Sequence, residues 1–226
     1  MSIPIIYEDN HLLVVEKPIN MPVQEDRSRD KDVLSALKAM IKVRDQKPGN
    51  VFLALVHRLD RPVGGVMVFA KTSKAASRLS DVIRRNKLGR KYLAVVRGKP
   101  SAEEKKLEHF LLKDRRRNIV QVVQSKKKRA QRAVLQYKQL ETFDDLSLLT
   151  VQLHTGRPHQ IRVQLAADKL PIVGDQKYGN EKSPGQQIAL WSHELSFPHP
   201  TTKEILTFNA KVPKSYPWNI WPTLSE

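Results

Sequence analysis

The sequence contains no cysteine. Disulfides and thiolate metal ligands are therefore excluded, and the composition fits an intracellular protein. No apolar run approaches the roughly 20 residues of a membrane-spanning helix. The opening stretch MSIPIIYEDNHLLVVEK has no basic region ahead of a long apolar segment, so neither a membrane span nor a secretory signal is expected. The fingerprints G-x-x-x-x-G-K-[ST] and G-x-G-x-x-G are missing, which removes the usual handles for nucleotide hydrolysis and dinucleotide redox chemistry. No G-x-S-x-G nucleophile elbow is present. The seven histidines are scattered, and the closest pair, His154 and His159, straddles the start of an expected helix, so no metal site is expected. Acids are scarce: 23 Asp+Glu face 40 Lys+Arg.

The resulting net charge of +17 makes a polyanion the natural partner, most simply RNA or DNA. With 226 residues and 40% apolar content, the chain is long enough to bury a real core in one domain spanning residues 1–226. The basic residues cluster. One group, Arg84, Arg85, Lys87, Arg90 and Lys91, follows a helical stretch, where the helix dipole accounts for part of it. A second lies between Lys113 and Arg132, where Lys126, Lys127, Lys128 and Arg129 form its densest run and Asp114 is the single acid. A charge run is usually a solvated face. This one lies mid-chain around an apolar strip, Ile119–Val123, and so reads as a projecting hairpin with basic flanks. Arg84, Arg85, Arg90, Lys126, Lys127, Lys128 and Arg129 are the expected RNA-phosphate contacts.

Taken in order, Ile3–Glu16 reads as two short strands around the turn Glu8-Asp9-Asn10. Asp32 is placed to cap a helix from Val33 to about Val43, whose apolar face is Val33, Leu34, Leu37, Met40 and Ile41. Thr72 or Ser73 caps a second helix to about Lys87. Lys91–Gly98 is a strand, and Ala133–Thr142 and Leu146–His154 form a hairpin. Thr155-Gly156-Arg157-Pro158 opens a third helix, HQIRVQLAAD, with Pro158 at its first position. Val173–Gly179 is a loop, Gln187–Leu195 and Ile205–Ala210 are late strands, and the proline-rich tail is pinned by Trp218 and Trp221. Strands outnumber helices and follow one another directly. That favours an α+β fold with a mainly antiparallel sheet.

The chain turns on Val51–Lys71, VFLALVHRLDRPVGGVMVFAK. Two strand-like runs, Val51–Val56 and Val66–Ala70, flank a polar insert that presents Asp60 between Arg58 and Arg61. Pro62 and Gly64-Gly65 keep this insert irregular. By local chemistry alone Asp60 is a turn residue whose side chain bonds nearby backbone. A carboxylate on a loop held by core strands is also suited to act as a nucleophile or base.

His57-Arg58-Leu59-Asp60, followed by Gly65 and a second strand, resembles the catalytic motif of the RluA-type pseudouridine synthases. The Lys17-Pro18 segment resembles the family's opening motif, Lys91-Tyr92 with Gly98 its tyrosine strand, TGRPHQIRVQL (Thr155–Leu165) its arginine motif, and GDQKYG (Gly174–Gly179) a further family-like loop. The resemblance implies an extended mixed sheet flanked by helices around a central cleft, with no cofactor and no metal. It implies Asp60 as the catalytic carboxylate, Tyr92 stacked on the uracil, and Arg162 paired to Asp60. It also implies Arg58 entering the RNA stack and Ile161 walling the base pocket. Arg157, at the helix entrance, is a second candidate partner for the acid or a phosphate ligand, and His159 a helix-capping or nucleic-acid-binding residue; both are expected at the substrate. The expected reaction isomerises a uridine of ribosomal or transfer RNA in the cytoplasm, by a monomer with no membrane partner. Many relatives carry an RNA-binding domain upstream, and the sequence leaves no room for one. One departure is Val63-Gly64-Gly65, where family members commonly have a hydroxyl residue in place of Gly64. The competing reading is a non-catalytic RNA-binding or ribosome-assembly protein on the same fold. A nuclease or glycosidase needs a second carboxylate, for which Asp175 is the candidate.

Overall fold

The computed structural model describes residues 3–179 and 185–224. Its strands are β1 (Ile5–Glu8), β2 (Leu12–Lys17), β3 (Ala54–Leu55), β4 (Gly64–Ala70), β5 (Gly89–Arg97) and β6 (Glu104–Asp114). They continue with β7 (Ile119–Val123), β8 (Gln131–Phe143), β9 (Leu146–Leu153), β10 (Leu190–Pro198) and β11 (Ile205–Asn209). The helices are α1 (Val33–Arg44), α2 (Ser73–Arg84) and α3 (Gln160–Ala167). The β-structure is mixed and mostly antiparallel, as the strand-rich order requires. The chain packs as two units, Met1–Gly89 with Ser192–Lys211, and Arg90–Trp191 with Val212–Glu226.

In the first unit the strand order is β1-β2-β4-β10, with β11 beyond β10 and β3 alongside β4. Every residue of β4 is buried, and so are Leu12–Val15 of β2, which is why both read as continuous apolar runs. Asp32 caps α1 by accepting from the Ser35 amide at 2.9 Å, and Thr72 caps α2 through the Ala75 amide at 3.1 Å. Arg44, in the last turn of α1, grips Glu8 of β1 through two bonds of 2.7 and 2.8 Å, and Lys71 reaches the same carboxylate at 2.6 Å. The Arg44 fork, opposed by burial and aided by Lys71, holds the Glu8 carboxyl down at about 2.

In the second unit the order is β5-β9-β8-β6-β7. Leu111, Val120, Ala133 and Val163 form a buried cluster between α3 and the strands, with Tyr178 packed against it. Trp218 and Trp221 are buried, so the tail is pinned as its tryptophans require.

The structure corrects several boundaries. The run Val51–Val56 yields only the two-residue β3, and Phe52 stays 52% exposed, so apolar content there marks an irregular wall. Gly64 and Gly65 belong to β4 instead of the loop. Gly65 has φ +112°, and a Cβ on it would lie 2.2 Å from the Ser192 carbonyl oxygen, so the residue lets β4 and β10 approach. Helix α2 stops at Arg84, before Lys87. Pro158 lies outside α3, because His159 adopts a left-handed φ of 51° and the first helical residue is Gln160. Strand β10 starts at Leu190, later than expected, and the tail forms two short 3₁₀ turns, Trp218–Ile220 and Pro222–Leu224. Strand β6 had no counterpart in the sequence reading. Leu107 and Leu111 face inward along it, but the charges of EKKLEH mask the alternation.

Candidate active site

Asp60 occupies a tight turn between β3 and β4, its carbonyl accepting from the Val63 amide at 3.0 Å. Two side chains pin this turn. His57 Nε2 accepts the Val68 amide of β4 at 3.1 Å and so fastens the loop entrance to the strand. Lys17 lies beneath the turn, with no exposed surface. Its Nζ donates to the carbonyls of Pro18, Arg61 and Val63 at 2.7, 3.0 and 2.8 Å. Two of those carbonyls flank Pro62 in the Asp60 turn, so one ammonium replaces the missing backbone partners of the loop. Burial pushes the Lys17 amine down to about 7, against the upward pull of the Asp60 charge.

The arginines around Asp60 part company. Arg58 is exposed, whereas Arg61 turns to the 20–30 segment. Its guanidinium donates to the Asn20 carbonyl at 3.2 Å, Ser28 Oγ at 3.2 Å and Asp30 at 2.5 Å. Arg61 therefore ties two loops together instead of flanking the carboxylate.

The second unit carries Tyr92 and Arg162. Tyr92 lies on β5 and is 7% exposed. Arg162 and Asp175 are buried together, with Nε to Oδ2 at 2.8 Å and Nη2 to Oδ1 at 2.6 Å. Burial alone raises the Asp175 carboxyl, but the Arg162 fork and the amides of Lys177 and Tyr178 outweigh it and hold it below the usual range. Asp175 is therefore committed to an arginine and does not stand as a spare acid. The Arg162 Cζ also sits 5.2 Å from the centre of the Tyr178 ring.

The turn before α3 is organised by Gln160. Its Oε1 accepts from Thr155 Oγ1 at 2.8 Å and the Arg157 amide at 2.9 Å, while Nε2 donates to the Val134 carbonyl at 3.0 Å. Arg157 reaches the Arg132 carbonyl at 3.1 Å. His159 Nδ1 lies 2.7 Å from the Tyr178 hydroxyl, which itself accepts the Val120 amide at 2.8 Å. Ile161 is buried.

The expected phosphate contacts differ in setting. Arg84 and Arg85 both pair with Asp81 one turn earlier. Arg90 lies within β5 instead of a helix end. Lys126, Lys127, Lys128 and Arg129 are exposed in the loop from β7 to β8, while Arg115, Arg116 and Arg117 are exposed in the turn from β6 to β7. The two clusters occupy opposite ends of β7, roughly 15 Å apart at about 3.4 Å per residue. This is the arrangement expected from the apolar strip Ile119–Val123 lying between the two basic clusters. Among the described residues, no three His, Cys, Asp or Glu side chains converge as a metal site, and no helix is long and apolar enough to cross a membrane.

Residues 11–167 match the model of the RNA pseudouridylate synthase family. The chain belongs to this family. The matched span takes in Asp60, Tyr92 and Arg162. The protein is 32% identical to the tRNA pseudouridine synthase C of Vibrio parahaemolyticus, over 94% of this chain and 91% of that one. It is also 32% identical to the ribosomal large subunit pseudouridine synthase C of the same organism, over 91% of this chain and 64% of that one. Among solved structures, human RNA pseudouridylate synthase domain containing 4 superposes with a TM-score of 0.79 at 25% identity, covering 93% of this chain and 89% of that one. The protein is accordingly a pseudouridine synthase, an isomerase acting on RNA. Sequence reasoning missed Lys17, Gln160 and the Arg162–Asp175 pair as parts of this framework. Sequence reasoning singles out Asp175 only as a candidate second carboxylate and as part of the family-like GDQKYG loop, not as the partner of Arg162.

Proposed function

We propose that Asp60 is the catalytic carboxylate and that the substrate is a uridine in ribosomal or transfer RNA. The observation that carries this is the construction of the Asp60 turn, with its carbonyls tied to the fully buried Lys17 and its entrance tied to β4 by His57. A turn needs no such anchoring to remain a turn; a reacting carboxylate does. The target base must leave its stack, at a cost of a few kcal/mol, before the turn can reach its sugar. The N1–C1′ bond then breaks, the uracil rotates, a C5–C1′ bond forms, and the C5 proton is lost as N1 gains one. Asp60 serves either by attacking C1′ or by removing a sugar proton after cleavage.

Tyr92 serves the same uridine by stacking on it, and Arg162 by stabilising the anionic form of Asp60. Arg58, exposed beside the turn, takes the place of the flipped base, while Ile161, Arg157 and His159 contribute to the substrate pocket. Both units belong to one catalytic domain over residues 1–226. The enzyme works as a cytoplasmic monomer without metal or cofactor. The similarity to a transfer RNA enzyme and to a ribosomal RNA enzyme at the same 32% identity supports the RNA class and leaves both substrates in play.

The test maps pseudouridine across total RNA from cells with and without the gene, then repeats the conversion with purified protein. Wild-type protein restores the missing position. Asp60→Asn restores nothing while keeping the wild-type melting temperature within a degree or two. Turnover by Asp60→Asn near the wild-type rate removes the catalytic assignment.

A further inference from the structure

Arg162 is buried against Asp175, whereas Arg90 is half-buried with its Nε enclosed. Arg90, two residues before Tyr92 on β5 and so on the same face of that strand, has no carboxylate acting on it, and its Nε is buried without a hydrogen-bond partner. Burial depresses its pKa, opposed in part by the neighbouring Tyr92. A guanidinium with its Nε buried and no carboxylate beside it is costly, and an incoming anion would offset that cost.

The neighbouring residue explains how Arg90 fits. Gly156 is exposed, and a Cβ built on it would lie 2.4 Å from one terminal nitrogen of Arg90. The absence of a side chain at position 156 leaves the guanidinium open towards the surface of the Thr155–Arg157 turn. The ligand such a guanidinium, two residues before Tyr92, suits is a singly charged, fork-accepting oxyanion.

We infer that Arg90, reached across Gly156, binds a backbone phosphate of the RNA next to the uridine held by Tyr92. The inference rests on the pseudouridine synthase reading and adds a specific phosphate site to it. It sets Arg90 apart from Arg84 and Arg85, whose charges are shared with Asp81. It also sets Arg90 apart from the exposed lysines of the β7–β8 loop, which act through loose charge attraction.

The experiment uses the full chain and total RNA from cells lacking the gene, separated into small and ribosomal RNA. Binding by filter retention and pseudouridine formation are measured from 50 to 300 mM KCl. Arg90→Met keeps the bulk and removes the charge. It should bind at least tenfold more weakly at low salt, with a log–log salt slope shallower by about 0.7–0.9, and with a melting temperature equal to or above wild type. Arg90→Lys should keep most of the slope. Gly156→Ala, which displaces the guanidinium without removing it, should lose part of the affinity, and adding it to Arg90→Met should cost nothing further. An unchanged slope and affinity in Arg90→Met overturns the site, as does a Gly156→Ala loss that persists undiminished in the Arg90→Met background. If wild-type protein forms no pseudouridine in either RNA pool, the parent reading fails and the phosphate site falls with it; if wild type is active and only the Arg90 effects are missing, the site alone fails.

Discussion

Arg162 and Asp175 close a two-bond fork inside the second unit, each side chain about 5% exposed or less. A buried pair of this kind contributes little over a packed apolar pair, but removing one member strips the other of the carboxylate or guanidinium fork that offsets its burial. Asp175→Ala should therefore cost about 3–5 kcal/mol of stability, read as a drop in denaturant midpoint. The double variant Arg162→Met with Asp175→Leu should recover most of that loss. Its turnover should stay abolished under the proposed role of Arg162 at Asp60. Recovery of turnover in the double variant would assign Arg162 a purely structural role.

Lys17 makes a prediction about pH. Its folded value of about 7 lies below the free lysine value of 10.5. Between those limits the unfolded chain holds the extra proton, so the stability contributed at this site rises with pH and is level below about 7. The difference in melting temperature between wild type and Lys17→Met should grow from pH 7 to pH 10. Asp60 pulls the Lys17 value up and Arg61 pushes it down, so Asp60→Asn should start the rise at lower pH. A flat difference across this range would mean that the ammonium is held charged by its three carbonyls at every pH tested.

These two residues also mark where the sequence was legible and where it was not. Capping of α1 by Asp32 and of α2 by Thr72 was readable, because a cap is a local matter of side chain and amide. The strands of β2 and β4 were readable as continuous apolar runs. Lys17 was not, because its acceptors lie 44 and 46 residues away and nothing in Lys-Pro announces a buried ammonium. Arg61 was misplaced for the same reason: its partners sit in the 20–30 segment. Adjacency to Asp60 in sequence suggested adjacency of charge, and a longer-range contact decided otherwise. Strand β6 escaped because its buried positions, Leu107 and Leu111, are separated by charged residues that read as a solvated face.

The basic loops at the two ends of β7 give a third prediction. Neutralising Lys126, Lys127 and Lys128 should weaken RNA binding and flatten its salt dependence by about 0.7–0.9 slope units or less per lost contact. Neutralising Arg115, Arg116 and Arg117 at the other end should add to that loss without interaction, since the clusters are further apart than the distance at which substitutions couple. Sub-additive losses would place both clusters on the same phosphates.

The last prediction concerns what holds β7 in place. As the final strand in the order β5-β9-β8-β6-β7, it has a ladder partner on one side only, β6. On its other side the amide of Val120 is received by the Tyr178 hydroxyl at 2.8 Å, and that hydroxyl lies 2.7 Å from His159 Nδ1. Lys177 adds a bond to the Asn118 carbonyl at 3.0 Å. Tyr178→Phe keeps the ring beneath Leu111, Val120, Ala133 and Val163 and removes only the oxygen. The Val120 amide is then left without an acceptor, a loss of about 1–3 kcal/mol for a buried donor. Hydrogen exchange should rise specifically over Ile119–Val123, with β8 and β9 unchanged. RNA binding should also weaken modestly, because the loops that carry Arg115–Arg117 and Lys126–Arg129 hang from this strand. Uniform exchange across the second unit would show that Tyr178 supports the whole unit, and unaltered exchange in β7 would show that the ladder to β6 is sufficient to hold the edge.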